Sequence, residues 1–372
     1  TQNIGAGRPG VAYQARQLGL AFNAVLGVIM SLFLSLGAGT ILSGVGVADA
    51  LMQPAKTYLQ IVGGFCILNA LIPICSSYLR AFGFSKEPLY ASIIGNVINF
   101  CLNAFFLFVL HKGVAGVATA TVISRIINLV IVVLLGAVLV KAKQHPERES
   151  NRAVMGQIIR IGLPSACETA IYNVSMTLVI RFLNQMDAQG LNVTARSYTM
   201  QITNFSYCVG AALAQANAIM TGWHIGAKEY DACDRGTKKA AVIGVIVAVI
   251  LETVFTLCSG WIMQLFSKDP QMVSLVGKLL AIDIVLEIGR VTNLVYGQAL
   301  KTSGDAVFPV VMGACFMILC SVGGTYLFGI RLGLLAVGAY IGMTGDECVR
   351  AVGMYLRWKS GKWKEKGLVK SR

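Results

Sequence analysis

Apolar residues along this 372-residue chain neither alternate nor form a narrow helical stripe; they run in ten long blocks separated by short polar joints. The blocks cover 13–36, 58–79, 88–110, 114–140, 158–183, 195–221, 237–257, 272–300, 307–328 and 334–356. Each is about 20 residues or longer, enough for a helix to cross a hydrocarbon core about 30 Å thick. Continuous, glycine-rich runs of this kind predict membrane-spanning helices and not barrel strands, whose apolar residues would alternate.

Composition agrees with the pattern. With 56% hydrophobic and 13% charged residues and a mean hydropathy of +0.69, a soluble fold would leave too much apolar surface in water. The net charge of +14 changes the picture once the cations are placed on the joints. Taking the joints alternately, one side collects Arg8, Arg16, Arg80, Lys86, Lys141, Lys143, Arg148, Arg152, Arg160, Lys228, Arg235, Lys238, Lys239, Lys301 and the tail from Arg357 to Arg372. The other side holds Lys56, Lys112, Lys268 and Arg331. The positive-inside rule then puts the tail in the cytoplasm of a multi-pass protein. The basic balance is explained by topology, so a nucleic-acid partner is not expected.

The chain repeats itself. "LRAFGFSKEP" at Leu79 returns as "LKTSGDAVFP" at Leu300, with Leu, Gly and Pro matched and Arg80 against Lys301, a constant separation of 221 positions. "IGAGRPGVAYQARQ" at Ile4 pairs with "IGAKEYDACDRGTK" at Ile225 at the same separation, and "GVATATVIS" at Gly116 with "GAYIGMTGD" at Gly338 at 222. Repeats of this length in an apolar chain predict two homologous helical bundles in parallel orientation. The expected organisation is an N-terminal bundle over 1–140, a polar linker over 141–157, a C-terminal bundle over 158–358 and a basic tail over 359–372. The two spans before Ile225 have no counterpart before Ile4, so the first half is expected to lack roughly 65 residues and two helices of a six-helix bundle.

Some chemistry is unsupported. The ten cysteines lie mostly inside apolar blocks without metal-ligand spacing, His111, His145 and His224 are scattered, and no phosphate-binding loop occurs, so neither an enzyme nor a bound cofactor is expected. The candidates are charges inside spans, which cost roughly 2.5 to 3.5 kcal/mol each on insertion scales and need a partner, a cavity or a purpose. Asp283, Glu287 and Arg290 follow one another at spacings of four and three and share one helix face, two acids to one cation. They form either a cation or proton site or an ion pair that holds the helix to its bundle. Glu168 follows Pro164 in "GLPSACE" and reads either as a cation or proton site or as the last member of a capping box opened by Ser165. Asn96, Asn99 and Asn103 form one amide stripe, and Gln201, Asn204 and Gln215 another; both serve helix packing or substrate contact. Tyr172, Tyr207 and Met176 offer either core packing or a wall for flat lipophilic cations.

The residues "LRAFGFSKEPLYASIIGNVINFCLNAFFLF" (79–108), "GVAGVATATVISR" (113–125), "IRIGLPSACE" (159–168) and the two "IGA" loops resemble the multidrug and toxic compound extrusion family, the MATE transporters, over nearly the whole chain. The resemblance implies an all-α polytopic fold of two pseudo-symmetric six-helix bundles, about ten helices of which are present. It also implies secondary active export of lipophilic organic cations by alternating access, in antiport with H⁺ or Na⁺, by a monomer in the plasma membrane, the bacterial inner membrane in this reading. Site residues under this reading are Glu168, Asp283, Glu287, Arg290, Tyr172, Asn204 and Gln215, with Na⁺ a candidate ligand of Glu168, Asp283 and Glu287. Family acids in the seventh and tenth helices match Glu168 and the "DIVLEIGRVTN" stretch only approximately. The rival functions are a lipid-linked precursor flippase of the same superfamily, which would need a more cationic cleft, and a non-transporting scaffold, which would gain little from unpaired acids.

Overall fold

A computed structural model describes residues 1–45, 47–141, 145–187 and 190–367. Lys143 and the end of the tail, Lys370 and Arg372 among it, lie outside the described residues. The described chain is helical, with no strand. Its α-helices are α1 (Gln2–Gly5), α2 (Pro9–Leu36), α3 (Ala38–Val45), α4 (Asp49–Gly64), α5 (Ile67–Ala81), α6 (Lys86–Ala104), α7 (Gly113–Leu139), α8 (Asn151–Met186), α9 (Leu191–Gly226), α10 (Tyr230–Leu257), α11 (Ser259–Met263), α12 (Pro270–Ser303), α13 (Val307–Phe316) and α14 (Leu335–Lys359). Widened π turns extend α6 over Phe105–Val109 and α13 over Met317–Val322 and Thr325–Arg331.

Among the described residues, five helices are long and apolar enough to cross a membrane by themselves, and six if α4 and α5 count as one span bent by 42°. The block over 58–79 thus straddles a break. Gly63 and Gly64 weaken the helix at its end, Gly27 of α2 lies against the Cα of Ile67, and the freed Ile67 N–H donates to Ser31 Oγ at 3.1 Å. The long helices α8, α9, α12 and α14 fall outside the purely apolar set. Of these, α8, α12 and α14 carry most of the charges described below, and α10, within the apolar set, carries one more, Glu252.

The chain divides into two compact units. One is built from 8–158, where α2 packs on α4 and α5, and α7 packs on α4, α5 and α6. Its core gathers Cys75, Tyr78, Leu79, Ala91, Val132 and Val140, and the Arg16 guanidinium sits 4.7 Å from the Tyr78 ring. The polar stretch before α8 is tied to the start of α2. Gln14 Nε2 donates to the Glu149 carbonyl at 2.7 Å, the Glu149 N–H returns a bond to Gln14 Oε1 at 3.0 Å, and Arg8 pairs with Glu149 at 2.5 Å. Helix α8 starts at Asn151, inside the expected linker.

The second unit comprises 1–7 and 159–372 and is organised around α12, which packs on α9, α10 and α14. Two apolar cores lie along α12. One uses Met272, Val276, Leu279, Leu280 and Leu286 with α8, α9 and α14; the other uses Val291, Val295, Tyr296, Ala299 and Leu300 with α10 and the stacked pair Trp358 and Trp363. Close approach is secured by small residues: Val291 is clasped by Gly210 of α9 and Gly244 of α10, and Gly289 lies against the α14 backbone at Cys348. Such contacts bind helices where the lipid offers no hydrophobic drive.

The sequence repeat reappears in the backbone. Gly83 (φ +90°) and Gly304 (φ +99°) both adopt the left-handed conformation after a helix, and each turn closes with the same pair of bonds. Gly83 N to Arg80 O is 3.0 Å and Phe84 N to Leu79 O is 3.1 Å; Gly304 N to Lys301 O is 3.1 Å and Asp305 N to Leu300 O is 3.0 Å. This is the terminus that glycine favours because it carries no Cβ. Positive φ also recurs at Gly7 and Lys228, at His111 and Gly333, and at Gly113 and Leu335, with the spacing of the sequence repeat.

Candidate functional site

The polar site lies between the two apolar cores of α12. Spacings of four and three along this helix put Asp283, Glu287 and Arg290 on one face, and neighbouring helices complete the site. Helix α10 contributes Glu252, a lone acid in an otherwise apolar span, and α14 contributes Asp346, Glu347 and Arg350.

The first part is a closed carboxylate cluster. One oxygen each of Glu252, Asp283 and Glu287 lies within 4.8 Å of the others, and the three side chains belong to residues 0%, 2% and 0% exposed. Among the described residues, Asp283 Oδ2 and Glu287 Oε2 have no hydrogen-bond partner, and the one polar side chain besides the other charges that reaches Glu252 is Ser206. The cation against them is Arg290, whose Nη1 donates to Glu287 Oε1. Three carboxylates this close and shielded from water hold together only if protons or a cation share their charge, because unmatched buried ions cost several kcal/mol each. Arg290 matches one of them, so the cluster suits an additional monovalent cation or protons.

The second part is an adjoining cavity of about 380 Å³. Its walls include the aromatic rings of Tyr172 and Tyr207, the thioethers of Met317 and Met354, and the polar groups of Asn173, Asn293 and Gln298. Charges line it in pairs. Lys301 Nζ meets Glu168 Oε2 at 2.5 Å, Arg350 Nη2 meets Glu347 Oε1 at 2.9 Å, and Arg290 Nε faces Glu347 Oε1 at 3.8 Å. Behind this wall Arg350 holds Asp346 through two bonds of 2.8 Å. Asp346 also accepts from Ser321 at 3.0 Å, a residue presented by the widened turns that follow α13. Departures from regular α-geometry of this kind occur frequently at functional sites.

The structure thus sorts the residues singled out from sequence. Glu168, Tyr172 and Arg290 line the cavity; Asp283 and Glu287 lie in the closed cluster; Asn204 and Gln215 are exposed on α9 and line neither. The capping-box reading of Ser165 and Glu168 is corrected: α8 runs unbroken through Pro164, Ser165 Oγ donates to the Ile161 carbonyl at 3.0 Å, and Glu168 is held by Lys301. Lys301, expected among the cations at the helix ends, belongs to the last turn of α12 and reaches back into the cavity. Met176 packs with the core instead of the cavity wall. Asn103 donates to Asn99, and Asn99 donates to Ser124, tying α6 to α7. Sequence reading missed Glu252, Glu347 and Arg350. The signals were there: one acid in "VAVILETVF", and two acids and an arginine at i, i+1 and i+4 in "TGDECVRAV".

An all-helical chain with several long apolar spans is a multi-pass membrane protein. The chain belongs to the MatE family, whose model matches residues 1–105 and 164–327, a family of transporters and not of enzymes. Among its relatives is the uncharacterized transporter YisQ of Bacillus subtilis (strain 168), 32% identical over 99% of this chain and 82% of the relative. The probable multidrug resistance protein NorM of Thermotoga maritima is 22% identical over 91% of this chain and 76% of its own length. A MATE protein crystallised in the straight conformation superimposes with a TM-score of 0.87 at 19% identity, over 98% of this chain and 82% of the other. That likeness establishes the fold.

Proposed function

We propose that this protein is a secondary active exporter of lipophilic organic cations, driven by antiport of H⁺ or Na⁺. The observation that carries the reading is the closed cluster of Glu252, Asp283 and Glu287, three acids against one arginine, next to a cavity walled by aromatic rings and thioethers. In this reading the cluster takes the coupling ion, and the cavity takes the substrate, with Tyr172 and Tyr207 as flat contacts and Glu347 as counter-charge. The protein acts as a monomer in the plasma membrane with its basic C-terminal end in the cytoplasm. A lipid-linked precursor flippase is less well supported: among the described residues that line the cavity, the cations Arg290, Lys301 and Arg350 each already face a carboxylate, which suits a pyrophosphate poorly.

The test is efflux of ethidium from proteoliposomes under an imposed pH or Na⁺ gradient. Wild-type protein is expected to export the dye under at least one of the two gradients, and Glu287→Gln to reduce that flux about tenfold or more, the usual scale for loss of a buried charge partner. Flux that ignores both gradients would remove the antiporter reading.

A further inference from the structure

The coupling cluster and the cavity are separate places. Glu252, Asp283 and Glu287 are buried and absent from the cavity lining, so an organic cation in the cavity cannot touch the carboxylates that would take the coupling ion. If the two exclude each other, something must carry the message. Arg290 lies against both.

We propose that Arg290 is the exchange element of this site, shared between Glu287 in the closed cluster and Glu347 in the cavity wall. The inference rests on the exporter reading above. A proton or cation in the cluster neutralises Glu287 and releases Arg290 to Glu347, which fills the counter-charge that an organic cation would use. A substrate on Glu347 sends Arg290 back to Glu287 and removes the charge that holds the ion. Ion and substrate thus compete through one side chain without sharing a ligand, and because coupling is reciprocal each weakens the other by the same factor.

The geometry supports this division of labour. Arg290 Nη1 is bonded to Glu287, while its Nε faces Glu347 Oε1 at 3.8 Å, too long for a hydrogen bond and roughly 1 Å from becoming one. Glu347 is held ready without it: Asn293 Nδ2 donates to Oε2 at 3.0 Å and Arg350 Nη2 to Oε1 at 2.9 Å. Arg350 is the fixed cation, with a side chain 5% exposed and locked on Asp346. The Arg290 side chain is 19% exposed, opens on the cavity, and has the Tyr207 ring 6.0 Å from its guanidinium carbon. The titratable and charged groups that face it are Glu252 from α10, Asp283 and Glu287 from α12, Tyr340, Glu347 and Arg350 from α14, Tyr172 from α8 and Tyr207 from α9.

The test is ethidium binding to the purified full chain in nanodiscs, followed by fluorescence polarisation while Na⁺ replaces K⁺ at fixed ionic strength and, separately, while pH is lowered from about 8 to about 6. Wild type is expected to lose ethidium affinity about tenfold with at least one of the two, within the usual range of coupling. Arg290→Gln should flatten that dependence, with Glu347 left free for the dye, and Arg290→Lys should restore part of it. Glu287→Gln should also be flat, but weak, because Arg290 then stays on Glu347. A wild-type-sized dependence in R290Q, or in E287Q with wild-type affinity, overturns the proposal and leaves the exporter reading intact. A wild-type affinity indifferent to both Na⁺ and pH removes the exporter reading and this proposal with it.

Discussion

At the scale of single residues, the closed cluster joins two acids of α12 to one acid of α10. Asp283, Glu287 and Arg290 stand on one helix, and helical spacing alone groups them. Glu252 could not be assigned by spacing, because its partners come from α12 and only the packing of α10 on α12 brings them within 4.8 Å. The same reason separates Glu168 from the cluster: its neighbour is Lys301, in the last turn of α12. Glu252 therefore yields the sharpest residue-scale prediction. Glu252→Gln keeps the shape of the side chain and removes an unmatched buried charge, so thermal stability is expected to be unchanged or to rise by about 1–3 kcal/mol. Gradient-driven ethidium efflux should fall about tenfold or more in the same variant. Full flux with raised stability would make Glu252 a bystander.

At the scale of elements, turn chemistry was readable and helix bends were not. Glycine and proline mark the loop at Gly83 in sequence, and the backbone there takes φ +90° with open space where a Cβ would lie. Gly83→Ala is expected to cost about 1–2 kcal/mol from backbone strain alone, measured as a lowered denaturation midpoint with transport retained per folded molecule. The break between α4 and α5 escaped notice because the apolar block runs straight through it; only the contact of Gly27 and Ser31 with Ile67 favours the bend. The start of α9 was also invisible, since the side chain that caps it lies four residues before Leu191. Asp187 Oδ1 accepts from the Leu191 N–H at 2.9 Å and Oδ2 from the Asn192 N–H at 3.0 Å. Burial pushes the Asp187 carboxyl up, but hydrogen bonds from Asn192, Leu191 and Gly190 outweigh it and hold the group below the usual range. A depressed folded value means the stabilisation is present above the ordinary aspartate range and is lost as pH falls through it toward the folded value. Asp187→Asn replaces one of the two accepting oxygens by an amide NH2 and should cost about 1 kcal/mol at neutral pH, and the gap from wild type should close below about pH 4.

At the scale of the whole molecule, orientation is the testable matter. Charge on the joints predicts that Ser360, at the end of α14, faces the cytoplasm and that Ser267, between α11 and α12, faces outward. With the exposed native cysteines replaced, an impermeant maleimide should label Ser267→Cys in intact cells and Ser360→Cys only after permeabilisation; the reverse pattern would invert the topology. What the sequence determined by itself is the helical, apolar character of the chain, the repeat that returns at Gly83 and Gly304, and the polarity of α12. Hydrophobicity, turn glycines and helical spacing are local properties that need no knowledge of neighbours. The tertiary structure decided which charges meet: Glu252 with Asp283 and Glu287, Glu168 with Lys301, and Arg290 between Glu287 and Glu347. Those pairings depend on which helices lie side by side and at what rotation, set by the packing of small residues such as Gly210, Gly244 and Gly289 around α12 and carried by no period within a single helix.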